Sequence, residues 1–466
     1  MRRLAALLIV LSVTLGGAAH GQPAFSPTPW LQDLDQLRIA MTTDYANLEW
    51  QAQRGLDLPA LYAKTQERIE GSHDEFEARH AFERFLSAFG DGHLEVHWPA
   101  ANTPGAGSHS DVPSALCGRL GYFDLHDDGG AALRLPGATA VGSPNAHLKA
   151  ALVEMAGRRV AILRVGMFSQ DGYPDICDVA AHRLSLTAAS SCDQPCQDSL
   201  DQVARTMFVE EMARQVRALA AAHPDVLLVD IAGNGGGNDS SLALAHMLTD
   251  KRLQRPRGGG VQGPAWAAEI ASREAEVAKA LAARSADRAA LLRFQAALAE
   301  ARVEAPKACD RKPLWLGQAV GCSALKPEPL FNGFWSYVPK PDDPVAGAQT
   351  IWTGPLLVLV DGDSASSSEW FAAMLQDSKA ATILGSPTIG AGCGHVTDTP
   401  PVKLAHSGGA VSMPDCYRLR ANGDNEVGGV EPDLLIGFRE HDTPAQRTAR
   451  LARALPPALT RAIARR

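Results

Sequence analysis

The segment around Ser366 combines the features of a nucleophile position. An apolar run, 356–360, is followed by a tight turn and then by residues 368–377, whose pattern predicts a helix. A serine at the start of a helix that follows a buried strand lies at the carboxyl edge of the sheet, and the helix N-terminus favours developing negative charge. The N–H of Ser367 would then contribute to an oxyanion hole. The alternative is that Ser366 is only the N-cap, with Glu369 completing a capping box.

A glycine-rich turn, 230–238, follows a second predicted strand. It reads DIAGNGGGN. Glycines allow the backbone to approach a ligand closely and to point N–H groups at it. The turn is not a phosphate-binding Walker loop, because no Lys-Ser/Thr pair follows, and its spacing is not G-x-G-x-x-G. It predicts a second oxyanion donor from Gly235 or Gly236, with a plain strand-to-helix turn as the alternative.

Two histidines, His93 and His97, lie in the segment 89–98. Asp91 and the glycine after it indicate a turn, and a short alternating strand follows. Residues four apart on a strand are roughly 13 Å apart, too far to share a metal ion, and the HExxH pattern is absent. The sequence therefore predicts no metal site here, and both His93 and His97 stay candidate functional residues.

Carboxylates that could orient such a histidine occur in the segment 425–436, which reads NEVGGVEPDLLI. Glu426, Glu431 and Asp433 are the candidates. The alternative is that this segment is a solvated turn before a short strand.

Composition restricts the class of protein. The chain has 466 residues, of which 21% are charged and 45% hydrophobic, which is typical of a globular protein of about two to four domains. There are 44 basic and 52 acidic residues, a net charge of −8. Without a basic field, nucleic acid is excluded as the main partner.

The N-terminus predicts an exported protein. Two arginines precede the apolar run 4–15, and small residues continue to Gly21. This pattern is typical of a secretory signal peptide over residues 1–21, cleaved before Gln22, and it predicts a periplasmic or extracellular location. No later stretch is long and apolar enough to predict a stable membrane span. Nothing in the sequence predicts an oligomeric state.

The cysteines are expected to pair, because an exported protein meets an oxidising environment. Their number, eight, is even, but spacing alone does not determine the connectivity. Cys309 and Cys322 bracket one short loop, and Cys393 and Cys416 bracket another. Cys177, Cys192 and Cys196 lie close together in the sequence, which leaves Cys117 as the distant one.

Apolar periodicity predicts an α/β protein. Short apolar strands alternate with helical stretches, which is typical of a mostly parallel sheet covered by helices. We expect a signal peptide over 1–21 and an N-terminal helical domain over 22–98 that ends in the histidine turn. A loop-rich linker or small β subdomain would follow over 99–158, then an α/β core over 159–440 and a C-terminal helix over 441–466. An insertion at about 256–350 contains a helical hairpin, 265–305, that either covers part of the molecule or is a solvated excursion.

The four motifs occur in the order histidine, glycine turn, serine, glutamate, behind a helical segment. In this combination the chain resembles the C-terminal processing (tail-specific) serine peptidase family, and within it the branch of the tricorn core protease and the interphotoreceptor retinoid-binding protein repeats. The resemblance covers roughly residues 30–98 and 155–440. It implies a crotonase-like fold, in which ββα units repeat in a superhelical core, and hydrolysis of peptides or unfolded protein without metal or organic cofactor.

The resemblance also implies roles for individual residues. Processing peptidases of this family carry a catalytic lysine 25 residues after the serine, but that position is Ala391 here, so a Ser–Lys dyad is not expected. The tricorn-like branch instead assigns the general base to His93 and the orienting carboxylate to Glu426, acting directly or through water. Ser366 would be the nucleophile, and Gly92 stands where that branch has a serine before the histidine.

Several alternatives stay open from sequence. His395 is a second candidate base. Residues 118–123 faintly resemble the carboxylate-binding loop of a PDZ domain. A non-catalytic small-ligand or peptide-binding protein on the same fold, and an ester hydrolase, would use much the same framework.

Overall fold

The computed structural model describes residues 25–99, 116–143, 146–254, 256–283, 288–320, 325–328, 348–397 and 399–464. The predicted signal peptide therefore lies outside the described residues. The helices are α1 (Thr28–Asp44), α2 (Leu48–Gln53), α3 (Leu58–Glu70), α4 (Glu75–Ser87), α5 (Leu116–Arg119), α6 (Pro174–Arg183), α7 (Gln194–Ala221), α8 (Ser240–Met247), α9 (Pro264–Ala282), α10 (Arg288–Glu304), α11 (Ser367–Asp377) and α12 (Pro444–Ala464). Among the described helices, none is long and apolar enough to cross a membrane.

The strands form one large and two small sheets. They are β1 (Glu95–His97), β2 (Thr139–Val141), β3 (Ala150–Met155), β4 (Arg158–Arg164), β5 (Val226–Asp230), β6 (Arg257–Val261), β7 (Leu325–Glu328), β8 (Leu356–Val360), β9 (Thr382–Gly385), β10 (Val402–Lys403), β11 (Ala410–Ser412), β12 (Cys416–Leu419) and β13 (Leu434–Leu435).

The large sheet has seven strands in the order β13-β9-β8-β5-β4-β3-β2. The four pairs from β13 to β4 are parallel, and the last two are antiparallel. Strands β5 and β8 are buried along their whole length, as expected for central strands covered on both faces. The mixed α/β class is confirmed, whereas the crotonase-like superhelix of ββα units stays a prediction.

Helices cover both faces of this sheet. One face packs against α6, α7, α8 and α11, and the other against α12, whose buried residues include Leu451, Leu455 and Leu459. Strands β2 and β3 belong to the same sheet. Strand β3 (Ala150–Met155) pairs along its length with β4, so this sheet extends across the predicted boundary at residue 159, and the predicted domain division stays a prediction.

The N-terminal helices form a second core. Side chains at helical spacing on α1, α3 and α4 are buried together, while Asp57 and Asp74 cap α3 and α4 by accepting the N–H groups of Ala60 and Glu77. Phe76, in the first turn of α4, is 77% exposed and does not belong to this core. The core continues into β11, the strand that pairs with β1 and so anchors the histidine turn.

The insertion folds as a helical hairpin. Helices α9 and α10 pack through Trp266, Ile270 and Leu298, and the same cluster includes Val396 and Cys416. The hairpin therefore covers part of the molecule and is not a solvated excursion. Cys393 and Cys416 are joined by a disulfide, as their bracketing of a loop suggested.

Two further disulfides join the four cysteines whose pairing the sequence did not determine. Cys117 is joined to Cys177 across 60 residues, and Cys192 is joined to Cys196 within one turn of chain. The remaining predicted pair involves Cys322, which lies outside the described residues.

An ion network between α6, α7 and the loop before β3 gives a test of pH-dependent stability. His147 Nδ1 lies 2.6 Å from Glu211 and its Nε2 lies 2.7 Å from Asp175. The hydrogen bond to Glu211, the main favourable cause, raises the pKa of His147 from 6.5 to about 9 against the opposing effect of burial. Because the folded-state pKa is raised, the stabilisation is complete below pH 6.5 and is lost as pH rises through 9. Asp175 is 71% exposed, so screening reduces the effect to about 1–2 kcal/mol.

We therefore expect His147→Gln to lower the free energy of unfolding at pH 6 and to have little effect at pH 10. Urea denaturation at the two pH values measures this. His182→Gln, in the last turn of α6, is the matched control. Equal destabilisation by His147→Gln at both pH values would contradict the charge-based explanation.

Candidate active site

Ser366 lies where strand β8 gives way to helix α11, as predicted. Its φ of 54° and ψ of −114° place a non-glycine residue at positive φ, a strained conformation that persists only where the surroundings impose it. A sharp strand-to-helix turn of this kind exposes a serine hydroxyl at the edge of a sheet. Ser366 is partly exposed, while the helix residues that follow it are buried.

The glycine turn after β5 packs directly against Ser366. A Cβ added at Gly236 would lie 2.8 Å from Ser366 Cβ and 3.0 Å from Ser367 N. The Gly236 N–H donates to Asn234 Oδ1 at 2.9 Å, whereas no described residue accepts a hydrogen bond from the Gly235 N–H. Of the two glycines predicted as oxyanion donors, the hydrogen bonding therefore favours Gly235, with Ser367 at the helix N-terminus as its partner.

This packing predicts that glycines in the turns after β5 and β8 differ greatly in their tolerance of a methyl group. Gly236→Ala would force its methyl group into the Ser366 turn at a φ of +107°, so we expect kcat to fall by at least about 100-fold, comparable to the loss of one oxyanion donor. Gly362→Ala, in the turn after β8, would bring its methyl group no nearer than 4.0 Å to the Pro387 carbonyl oxygen and is the matched control. Peptide hydrolysis by the two purified variants measures the effect. Equal activity of both would show that this turn does not support Ser366.

Glu369 organises the site and was assigned only a capping role from sequence. Its buried carboxylate accepts the N–H of Ser366 at 2.9 Å and, from the segment 388–391, the Thr388 hydroxyl and the N–H groups of Gly390 and Ala391 at 2.6–2.8 Å. Burial raises the pKa of Glu369, and these four donors oppose that shift. Glu369 thus ties the serine turn to the segment 388–391.

His93 contacts the same segment. Its Nδ1 lies 2.5 Å from the Ala391 carbonyl oxygen, and Gly394 packs against the imidazole. A carbonyl oxygen only accepts, so Nδ1 carries the proton and, in the neutral ring, Nε2 is left as an acceptor. Burial lowers the pKa of His93 from 6.5, and the positive charge of Arg418 lowers it further, against the opposing hydrogen bond to Ala391. His93 is therefore neutral at pH 7 and able to accept a proton.

A buried polar network holds the histidine turn. Asp91 Oδ1 accepts the N–H of His93 at 3.1 Å, and its Oδ2 accepts hydrogen bonds from the Tyr45 hydroxyl and the Asn47 amide, each at 2.9 Å. Burial raises the pKa of Asp91 to about 6. Asn47 in turn accepts from Asn425 at 2.8 Å. The network links the histidine turn to the glutamate turn, and no local pattern in the sequence indicated it.

Glu426 is fully buried, and its carboxylate is paired with Arg418. Its Oε2 lies 2.6 Å from Arg418 Nε, and its Oε1 has no hydrogen-bond partner among the described residues. No hydrogen bond joins Glu426 to His93 among the described residues, and the predicted support of His93 by Glu426, directly or through water, stays a prediction. Arg418 also donates to the carbonyl oxygens of Gly392 at 2.5 Å and Ser366 at 3.3 Å.

The other candidate residues lie apart from this arrangement. His97 pairs with Glu95 on the exposed side of β1, and the carboxylate of Asp433 accepts the N–H of Ile383 in the large sheet. Glu431 is exposed, and its backbone carbonyl accepts from Gln376. His395 is nearer, with its ring centroid 6.1 Å from that of His93. Within the described residues, no group of three or more acidic, histidine or cysteine side chains is arranged to hold a metal ion.

Comparison with known proteins identifies the family of this chain. The model of peptidase family S41 matches residues 204–436, half of the chain. A curated Chlamydia pneumoniae protein is 31% identical over 134 residues, 28% of this chain, and the match spans one fifth of that relative. The structure of mature CPAF aligns with 94% of this chain and 98% of its own at 16% identity and a TM-score of 0.57, and mature CPAF complexed with lactacystin gives the same score. These likenesses show a common fold, and the matched half shows that the chain is a serine peptidase and belongs to peptidase family S41.

Proposed function

We propose that the protein hydrolyses peptide bonds with Ser366 as nucleophile and His93 as general base. One observation carries this proposal: a single short segment is bonded to both residues. Glu369 joins the N–H of Ser366 to the N–H of Ala391, and the Ala391 carbonyl oxygen accepts the Nδ1 proton of His93. The backbone that carries Ser366 and the ring of His93, which are far apart in the sequence, are thereby positioned by the same segment, as preorganised catalysis requires.

The reaction follows from the protonation state of His93. Its unprotonated Nε2 accepts the hydroxyl proton as Ser366 Oγ bonds to the peptide carbonyl carbon, whose π electrons move to the oxygen. The N–H groups of Gly235 and Ser367 stabilise this oxyanion. His93 then returns the proton to the amine nitrogen as the C–N bond breaks, and water hydrolyses the acyl-enzyme by the same steps.

Glu426 supports His93 through Arg418. The pairing of Glu426 with Arg418 orients the guanidinium towards the carbonyl oxygens of Gly392 and Ser366, on both sides of the site. The Ala391 carbonyl is the group that accepts from Nδ1 when the imidazole is protonated. In this proposal Glu426 is a positioning residue, and a water-mediated contact from its Oε1 to His93 would add to the same effect.

The proposed substrates are peptides or unfolded proteins outside the cytoplasm. The predicted signal peptide and the disulfides of the described chain support export. The chemistry uses only side chains and backbone groups of this chain, so the proposal requires no cofactor.

Covalent labelling with a fluorophosphonate tests the proposal, because this reagent reacts with an activated serine. We expect the purified wild-type protein to be labelled and to hydrolyse an unfolded protein substrate. The Ser366→Ala variant should show neither labelling nor hydrolysis. Ser386→Ala, which removes a buried hydroxyl without a hydrogen-bond partner near the same loop, is the matched control and should keep both. Labelling or hydrolysis that survives Ser366→Ala would show that another residue is the nucleophile.

A further inference from the structure

A separate cavity lies between the inserted hairpin and the loop that follows the segment 388–391, which contacts His93. Its volume is about 220 Å³. The walls are mainly apolar and come from the end of β6, the start of α9, β10, β11 and the residue after β11: Val261, Trp266, Val402, Val411 and Met413. The start of α9 thus forms one wall of the cavity.

The cavity adjoins the proposed catalytic centre on the His93 side. His395 lines it, and the His395 ring packs edge-on against His93. Strand β11, another wall, pairs with β1 directly after the histidine turn. Ser366 and the glycine turn are not among its lining residues, so the described contacts lead from the serine to the cavity through His93.

The position of the cavity relative to His93 determines which part of a bound substrate would reach it. The general base of a serine peptidase returns its proton to the leaving amine, so it faces the leaving-group side of the scissile bond. A cavity beyond His93 therefore receives the residue that follows the scissile bond, not the residue whose carbonyl is attacked.

The lining determines which side chain fits. Cavities that bind whole small molecules measure about 300–1,000 Å³, so a space of this size suits one large side chain. Among the described lining residues, the carboxylates of Asp44 and Asp415 disfavour an acidic side chain. Asp415 already accepts the N–H groups of Val396 and Thr397, each at 2.9 Å, so it offers little to a polar substrate group.

We propose that this cavity is a specificity subsite for a large apolar side chain immediately after the scissile bond. The inference rests on the proposed function, because it requires His93 to act at the bond being cleaved. Leu, Phe or Met would be favoured there over Gly and Asp. Complete burial of such a side chain changes a rate or binding constant by about 10–100-fold, which sets the expected selectivity in kcat/KM.

The test uses the purified full-length chain and quenched fluorescent peptides. Their common sequence is a cleavage site identified by mass spectrometry in a reduced, alkylated protein, and only the residue after the scissile bond varies among Leu, Phe, Met, Gly and Asp. Ala265→Trp places an indole at the cavity wall from an exposed position on α9. Ala268→Trp, exposed on the same helix but not lining the cavity, is the matched control.

We expect the wild type and Ala268→Trp to prefer Leu, Phe or Met over Gly by at least about tenfold in kcat/KM, and Ala265→Trp to lose that preference. Fluorophosphonate labelling should proceed at the same rate in all three proteins, since the reagent does not use the cavity. Uniform rates across the peptides, a preference that survives Ala265→Trp, or a preference confined to the residue before the scissile bond would each overturn the subsite while leaving the proposed function intact. Absence of both labelling and hydrolysis in the wild type would overturn the proposed function, and the subsite with it.

Discussion

Replacement of His93 with alanine is expected to lower kcat for peptide hydrolysis by about 10⁴–10⁶-fold without unfolding the protein. Removal of the base from a Ser–His pair typically costs close to the whole contribution of the pair. We expect a loss of about 10⁴-fold, because the Ala391 carbonyl that accepts from Nδ1 stabilises a protonated imidazole less than a carboxylate would. Single-turnover hydrolysis of a peptide measures the loss, and circular dichroism checks the fold.

His395→Ala is the matched control for this experiment. Its ring packs against His93, and loss of one such aromatic contact, about 1 kcal/mol, changes a rate by less than tenfold. In the wild type, kcat/KM should rise with pH to a plateau whose midpoint lies below pH 6.5, because burial and Arg418 lower the pKa of His93 and only the neutral ring accepts a proton. A larger loss in His395→Ala than in His93→Ala would reassign the base to His395.

Arg418→Met is expected to lower the free energy of unfolding by about 3–5 kcal/mol. Arg418 is 8% exposed and Glu426 is fully buried, so removing the guanidinium leaves an uncompensated carboxylate in the interior. The variant should also move the midpoint of the pH–activity profile upward, because the positive charge that lowers the pKa of His93 is gone. Urea denaturation and the pH dependence of kcat/KM measure the two effects.

The double variant Arg418→Met/Glu426→Met should recover most of the lost stability, since it removes both buried charges together. Arg158→Met is the surface control: Arg158 and Asp225 are 50% and 40% exposed, and we expect a change below about 1 kcal/mol. If Arg418→Met were no more destabilising than Arg158→Met, or if the double variant recovered nothing, the buried pair would not support the site as described.

The elements were largely predictable, because their signals are local. The strand and helix around Ser366, the strand before the glycine turn and the N-terminal helices follow from apolar periodicity within a few residues of each position. Family resemblance added the order of the motifs, and with it the expectation that His93, Ser366 and Glu426 belong to one site. It could not distinguish a carboxylate that contacts the histidine from one that contacts an arginine.

The support of the site was not predictable, because its contacts join distant parts of the chain. His93 and the Ala391 carbonyl that fixes its tautomer are 298 residues apart, and Glu369, a capping residue by its spacing, accepts three of its four hydrogen bonds from a loop about 20 residues away. The attachment of β2 and β3 to the large sheet, like the cavity under the inserted hairpin, likewise depends on which surfaces meet after folding.

The sequence by itself determined the kinds of elements, the motifs and the chemistry that their residue types allow. Only the tertiary structure decided that Arg418 pairs with Glu426 and that Glu369 joins the serine turn to the segment 388–391. It also decided that the N–H of Gly236 is already hydrogen-bonded, which favours Gly235 as the oxyanion donor. The physical reason is the range of the interactions. Periodicity and capping act within a turn or two of chain, whereas partner choice and the pKa of a buried group depend on neighbours brought together by folding.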